Sequence, residues 1–295
     1  MTVKLSIISD QISGSFEEAF NTAKEYGFSY VELHNAWDKT IEELDETETA
    51  TLRKLLKDYG LSVSNIASTV FFVCPLYESD EVSGFDESFH VIHGTIEDHL
   101  MALKRACEIA CELESPNIRL FPFRFPNNRK PPFGDTDDFQ RIQEAMIQAS
   151  DIAKPYGVTL AIENCPYSHM PKGEMTLELV RAVNRSNVRL LYDPANSYRA
   201  VRKNVPERYL SKTLEEEAIM MAPYIAHVHL KNYHYDPAVS PKPFLHVPAG
   251  DGDIPLEKLV GLLTKNGCEA ALSLEPEVDR EGTLASMKWM MDQFS

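Results

Sequence analysis

The sequence predicts an α/β fold of the (β/α)8, or TIM, barrel type, in one domain spanning residues 1–295. Three observations predict it. Short apolar runs alternate with amphipathic runs eight times, four helix-to-strand joints share one form, and the irregular sequence follows strands rather than helices. Alternating βα units imply a parallel sheet, and eight of them within 295 residues fit a closed barrel. An open doubly wound sheet is the alternative. It often carries a phosphate loop, and neither GxGxxG nor GxxxxGK[ST] occurs.

The elements run in order along the chain. KLSIIS (4–9) reads as a first strand rather than a signal peptide, because Asp10 follows so short an apolar run. A helix begins at Ser15, YVELH (30–34) is strand two, and a helix covers Thr40 to Asp58. LSVSNIAS (61–68) precedes a long helix around 94–113, and NIRLFPF (117–123) precedes one at 136–155. VTLAIEN (158–164), VRLLYDPAN (188–196), IAHVHLKN (225–232) and EAALSLEPE (269–277) complete the strands, with helices at 176–185, 213–222, from Pro255, and at 283–293. Ser15 with Glu18, Thr40 with Glu43 and Thr213 with Glu216 match the capping box, in which hydroxyl and carboxylate satisfy free first-turn amides. Tyr26-Gly27, Tyr59-Gly60, Tyr156-Gly157 and Asn266-Gly267 each stand directly before an apolar strand, as a left-handed helix stop requires. The long segments 69–93, 124–135, 197–212 and 233–254 all follow strands. In a barrel such loops gather at the C-terminal mouth, where active sites lie.

Composition narrows the function. Asp and Glu total 45 against 29 Lys and Arg, a net charge of −16, which opposes binding to nucleic acid or to anionic membranes. No run approaches the roughly 20 apolar residues of a membrane span. The five cysteines are odd in number and form no CxxC, and Cys107 with Cys111 reads as packing on one helical face, consistent with a reducing, cytoplasmic location.

Four consecutive strands end in a metal-ligand type: Glu163 in AIEN, Asp193 in YDPAN, His229 in HVHLKN and Glu275 in LSLEPE. Equivalent strand ends converge above a barrel axis, and carboxylates are seldom buried without a partner. A shared divalent ion resolves their repulsion. Three carboxylates and one imidazole suit Mn²⁺, Mg²⁺, Co²⁺ or Fe²⁺, with Zn²⁺ also allowed. On strand two, Glu32 and His34 share parity and face the lumen as candidate substrate contacts, alongside Lys231, Asn196 and Arg124. His227, one layer below His229, reads as a hydrogen-bonded interior histidine. Basic residues collect in the mouth loops as Arg124, Arg129, Lys130, Arg199, Arg202, Lys203 and Arg208, an arrangement suited to a phosphate or carboxylate. Phe121, Phe123, Phe125 and Phe133 offer an apolar wall, in a loop stiffened by Pro122, Pro126, Pro131 and Pro132.

Over essentially its whole length, on AIEN, YDPAN, HVHLKN and LSLEPE in that order, the chain resembles the xylose-isomerase-like barrel superfamily and its sugar phosphate isomerase/epimerase branch. The resemblance implies that Glu163, Asp193, His229 and Glu275 are the metal ligands and that Glu163 and Glu275 are also the catalytic acid/base pair. It implies a metal-dependent isomerase or epimerase of a sugar, sugar phosphate or keto-polyol, working in carbohydrate metabolism through an enediolate. It also allows a homo-oligomer. Asn196 stands where some members have histidine, and His169 and Tyr235 stand where family epimerases carry Glu and Arg, so the free ketose is not fixed as substrate. A metal-dependent dehydratase of an inosose-like keto-polyol remains the alternative within the superfamily. An endonuclease-IV-like repair enzyme or a non-catalytic barrel lies further away, the first because it needs more histidine ligands and DNA contact.

Overall fold

The computed structural model describes residues 3–83, 90–131, 135–200 and 205–295, with only the backbone described at Ala36. Arg202, Lys203, Pro132 and Phe133 of the mouth loops lie outside the described residues. Eight strands, β1 (Leu5–Ile7), β2 (Tyr30–Leu33), β3 (Ser62–Ile66), β4 (Asn117–Leu120), β5 (Thr159–Glu163), β6 (Val188–Tyr192), β7 (Ile225–Leu230) and β8 (Ala271–Leu274), form one sheet. Its order is β1-β8-β7-β6-β5-β4-β3-β2, so strands adjacent in sequence are adjacent in space and the last strand pairs with the first. A parallel bridge between Ile8 and Glu32 joins β1 to β2 and brings the ring nearly to closure.

Among the described residues nine α-helices surround the sheet: α1 (Phe16–Glu25), α2 (Glu46–Tyr59), α3 (Ile96–Glu112), α4 (Thr136–Ala153), α5 (Gly173–Val183), α6 (Pro194–Ala200), α7 (Leu214–Met221), α8 (Leu256–Lys265) and α9 (Arg280–Phe294). The glycines at the four recurring joints all have positive φ. Four details differ from the sequence reading. The Thr40/Glu43 box caps a 3-10 turn, Ile41–Glu43, and α2 starts later, on its own box of Asp45 and Glu48. Ser15 caps α1, but Glu18 turns its carboxylate to Ser13 and Arg280 instead of closing the box. The segment after β6 opens with the short helix α6, because Asp193 and Pro194 supply a cap and a first-turn proline at the strand end. Segment 233–254 forms, with Asn232, a hairpin of Asn232–Tyr235 and Phe244–Val247 rather than an irregular loop.

Alternate strand residues serve two compartments. Val31, Leu33, Ile118, Leu120, Leu160, Ile162, Val228 and Leu230 join the main apolar core, packed against the helices. The residues of opposite parity fill the lumen with polar groups. Ser6 and Ser64 hydrogen-bond across it at 2.7 Å, and Glu32, Arg119, His227 and His229 stand above them, all buried. A charged lumen is costly unless every group is paired, and the pairing defines the site.

Candidate metal centre and active site

Each strand end delivers its side chain under local constraint. Glu163 is the last residue of β5; its Oε1 accepts from Asn196 Nδ2 at 3.0 Å and its Oε2 from Arg119 Nη1 at 3.2 Å. Asp193 follows β6 directly. Its Oδ1 accepts the backbone N–H groups of Ala195 and Asn196 at 2.8 and 2.9 Å, which caps α6 and turns Oδ2 away from the helix. Asn164 fixes the same corner, accepting from Asp193 N and donating to Asp193 O. His229 rises from β7, and Glu275 follows β8.

These four side chains each offer a ligand atom, and the four atoms lie within 4.8 Å of one another. Two of the atoms facing the shared centre make no well-formed hydrogen bond: Nδ1 of His229, 3.3 Å from Glu275 Oε2, and Oδ2 of Asp193, 3.1 Å from Lys231 Nζ. Buried polar atoms without partners are rare, and here they converge. The charge count points the same way. Glu32, Glu163, Asp193 and Glu275 are answered by two permanent cations, Arg119 and Lys231, so with neutral histidines the cluster is short of two positive charges. A donor set of three carboxylates and an imidazole fits a divalent ion.

The local fields are strong. Burial pushes the Asp193 carboxyl up to about 6 although Lys231 pulls the other way. At Glu275 burial acts in the same sense, but Lys231 and His229 outweigh it and hold the carboxyl well below its usual range. Burial disfavours charge on His229, yet Glu32 and Glu275 on its two sides raise it well above the ordinary histidine value. An imidazole flanked by two carboxylates holds a proton that a bound cation would displace.

Above the ring opens a cavity of about 350 Å³. Of the residues singled out from sequence, Glu163, Glu275, His34, Asn196 and Lys231 line it. Lys231 reaches Glu275 at 2.6 Å and Glu277 at 2.9 Å. His34 is set by Asp10, 2.8 Å from its Nδ1. Asp193 and His229 lie beneath the cavity. Glu32, expected as a substrate contact, does not reach the cavity: it is fully buried under the ring, bound to Asn65 at 2.7 Å, His227 at 2.8 Å and His229 at 3.0 Å. Arg124 likewise stands outside the cavity wall, its guanidinium 5.3 Å from the Tyr167 ring centroid. Of the expected aromatic wall, Phe121 lines the cavity beside Phe72, at 4.4 Å between centroids. Phe123 instead stacks on Phe71 in the core, and Phe125 packs on His169.

Sequence reasoning missed Arg119. It holds both candidate proton carriers, donating from Nη1 to Glu163 and, at 3.5 Å, to Glu275, while Nε and Nη2 donate to the carbonyls of Ser68 and Ala67. Its signal was a charge inside the apolar strand run NIRLF. Asn164, Tyr167, His246 and Glu277 were also missed. Asn164 and Glu277 sat inside quoted motifs, whereas Tyr167 and His246 come from the segments after β5 and β7, whose course only the folded chain reveals.

Residues 20–293 match the family model described as xylose isomerase-like TIM barrel, and the chain belongs to that family. No protein of curated function matches it. Among solved structures it is similar to the IOLI protein with a binding zinc atom, at TM-score 0.72 and 18% identity over 99% of this chain and 98% of that one. It is similar as well to a probable 3-DHS dehydratase, AsbF, from Bacillus anthracis (TM-score 0.69, 16% identity, 99% and 98% covered). A third is a D-allulose 3-epimerase from Methylomonas sp. in complex with D-allulose (TM-score 0.67, 14% identity, 100% and 98% covered). At such identities the likeness establishes the fold and no particular reaction. No helix among the described residues is long and apolar enough to cross a membrane.

Proposed function

We propose that this protein is a divalent-metal-dependent isomerase or epimerase of a sugar, sugar phosphate or keto-polyol, with manganese as a suitable ion and Glu163 and Glu275 as proton carriers. The observation that carries the reading is the convergence of Glu163, Asp193, His229 and Glu275 within 4.8 Å beneath a cavity that both glutamates line. Glu163 and Glu275 come from strands three apart around the barrel and are tethered to the same guanidinium of Arg119. One would take the proton beside a sugar carbonyl and the other return it. Arg119 and Asn196 hold the carboxylates in position, and Lys231 offers an ammonium to the substrate oxygens. A divalent ion held by the four ligands would supply positive charge against the negative charge developing on those oxygens.

A second reading is dehydration of a keto-polyol. It shares the proton removal, and it is favoured by Lys231, whose Nζ reaches the cavity where a departing hydroxyl would need a proton. Product mass separates the two, since only the dehydratase loses water.

The test is a turnover screen with Mn²⁺ against ketoses, sugar phosphates and keto-inositols, in wild type and Glu163→Gln. Loss of a general acid–base costs about 10²–10⁴-fold in rate, so turnover by Glu163→Gln should fall by that factor with the fold retained. A fully active variant, or activity that survives chelation, rejects the mechanism.

A further inference from the structure

The cavity is lined by three cations, and two of them are already committed. Arg119 is bound to Glu163 and Glu275, and Lys231 to Glu275, Asp193 and Glu277. Of the acids on the wall, Glu277 is in turn shared by Lys231 and His246, the latter at 3.3 Å. The third cation is Arg199. Its described contacts are to tyrosine: Nη2 donates to Tyr167 Oη at 2.8 Å, the guanidinium lies 5.0 Å from the Tyr167 ring centroid, and Tyr233 stands beside it. Neutral phenols cannot balance a guanidinium, and no carboxylate among the described residues pairs with it. A half-buried arginine facing a cavity, in a chain of net charge −16 where acids are plentiful, is a poor structural choice.

Two other basic residues of the mouth are tied to acids, directly or through a phenol. Arg129 binds Asp138 at 2.6 Å and Asp135 at 3.3 Å, and Arg208 donates to Tyr209, whose hydroxyl donates in turn to Glu178 beside the same guanidinium. Arg199 is also placed rigidly. It sits on α6, whose N-terminus is capped by Asp193 of the ring, six residues earlier. At a rise of about 1.5 Å per residue, helix α6 carries it about 9 Å along its axis from that ligand.

We infer that Arg199 receives an anionic substituent, a carboxylate or a phosphate, at the end of the substrate remote from the reacting carbon, and so sets specificity for acidic keto-polyols over neutral ones. A guanidinium offers five N–H donors in a fork that matches either group in bidentate fashion. Tyr167 and Tyr233 engage part of this fork, and the remaining donors are left for the ligand. The inference deepens the proposed function by naming the substrate class.

The test is a binding measurement, so it does not depend on turnover. Manganese-loaded protein is titrated calorimetrically with a hexitol, the corresponding hexitol 6-phosphate and the corresponding hexonate, in wild type, Arg199→Met and Arg199→Lys. At least one charged ligand should bind wild type tenfold or more tightly than the hexitol, and the tighter of the two identifies phosphate or carboxylate as the partner. Arg199→Met should abolish that preference. Arg199→Lys, which keeps the charge without the fork, should retain part of it. Equal binding of all three ligands by wild type, no binding of any, or a preference that persists in Arg199→Met overturns the inference. The last outcome would place the anion on the ring instead. If Arg199→Met fails to fold, the wild-type preference and the lysine variant still decide. Failure of the proposed function reads differently, as ketoses left unturned by a protein that keeps its Arg199-dependent preference.

Discussion

The carboxylate of Glu32 lies 3.0 Å from Nε2 of His229, on the side of the imidazole away from the ring. With Glu32 accepting there, it is Nδ1, facing Glu163 and Glu275, that would give up its proton to a bound cation. Asn65 and His227 bind the same carboxylate, so the orienting group is itself held from three sides. A partner of this kind fixes the tautomer and raises the basicity of a ligating histidine, and its loss typically costs about 10–100-fold in metal affinity. Glu32→Gln should weaken Mn²⁺ binding by that factor, read by competition against a fluorescent chelator, with the far-ultraviolet spectrum unchanged.

Lys231 has the opposite effect on the same ring. Its ammonium is buried among Asp193, Glu275 and Glu277 and repels any cation placed there. Unit charges 4 Å apart interact by about 4 kcal/mol at an effective dielectric of about 20. Lys231→Met should therefore tighten Mn²⁺ binding at least about tenfold on this electrostatic scale, while turnover falls with the loss of the substrate contact proposed for it. A variant that binds metal more weakly would mean that the lysine supports the ring rather than competing with an ion.

Arg119 is the counter-ion of both candidate proton carriers and also the donor to two loop carbonyls. Removing one partner of a buried ion pair costs about 3–5 kcal/mol. Arg119→Met should lose stability of that order in urea unfolding. Added Mn²⁺ should restore part of it, since a bound ion would neutralise the stranded carboxylates.

The acid limb of stability should carry the mark of His99, which is fully buried on α3 and accepts from Phe71 N at 3.0 Å. Burial lowers its pKa from 6.5 to about 4. Between those values the unfolded chain binds a proton that the folded chain refuses. Stability is therefore intact above pH 6.5 and declines as pH falls through the window. The loss amounts to about 3 kcal/mol at about 1.4 kcal/mol per pH unit. His99→Asn keeps an acceptor for Phe71 and should flatten this limb in thermal melts measured from pH 7 to 4.

The eight strands and their order could be read from sequence because alternation and the glycine joints are local signals, written in every repeat. The convergence of Glu163, Asp193, His229 and Glu275 followed from strand placement alone. What could not be read was the depth of Glu32 relative to the ring. Glu32 and His34 share parity and lie two residues apart, yet one is sealed beneath the ring and the other borders the cavity. Two residues of extended chain rise about 7 Å, enough to pass from the layer under the ring to the cavity above it. The helix α6 was hidden as well. The run VRLLYDPAN reads as a strand flowing into a loop, and only the capping hydrogen bonds of Asp193 turn its end into a helix.

The division of each strand between an apolar outer face and a polar lumen means that the chain keeps two scripts on alternate letters. One is written in Val, Leu and Ile against the helices and says how to fold; the other is written in Glu, Arg, His and Ser around the axis and says what to hold. Because the two seldom share a residue, the inner script is free to be rewritten for new ligands while the outer one stays as it is.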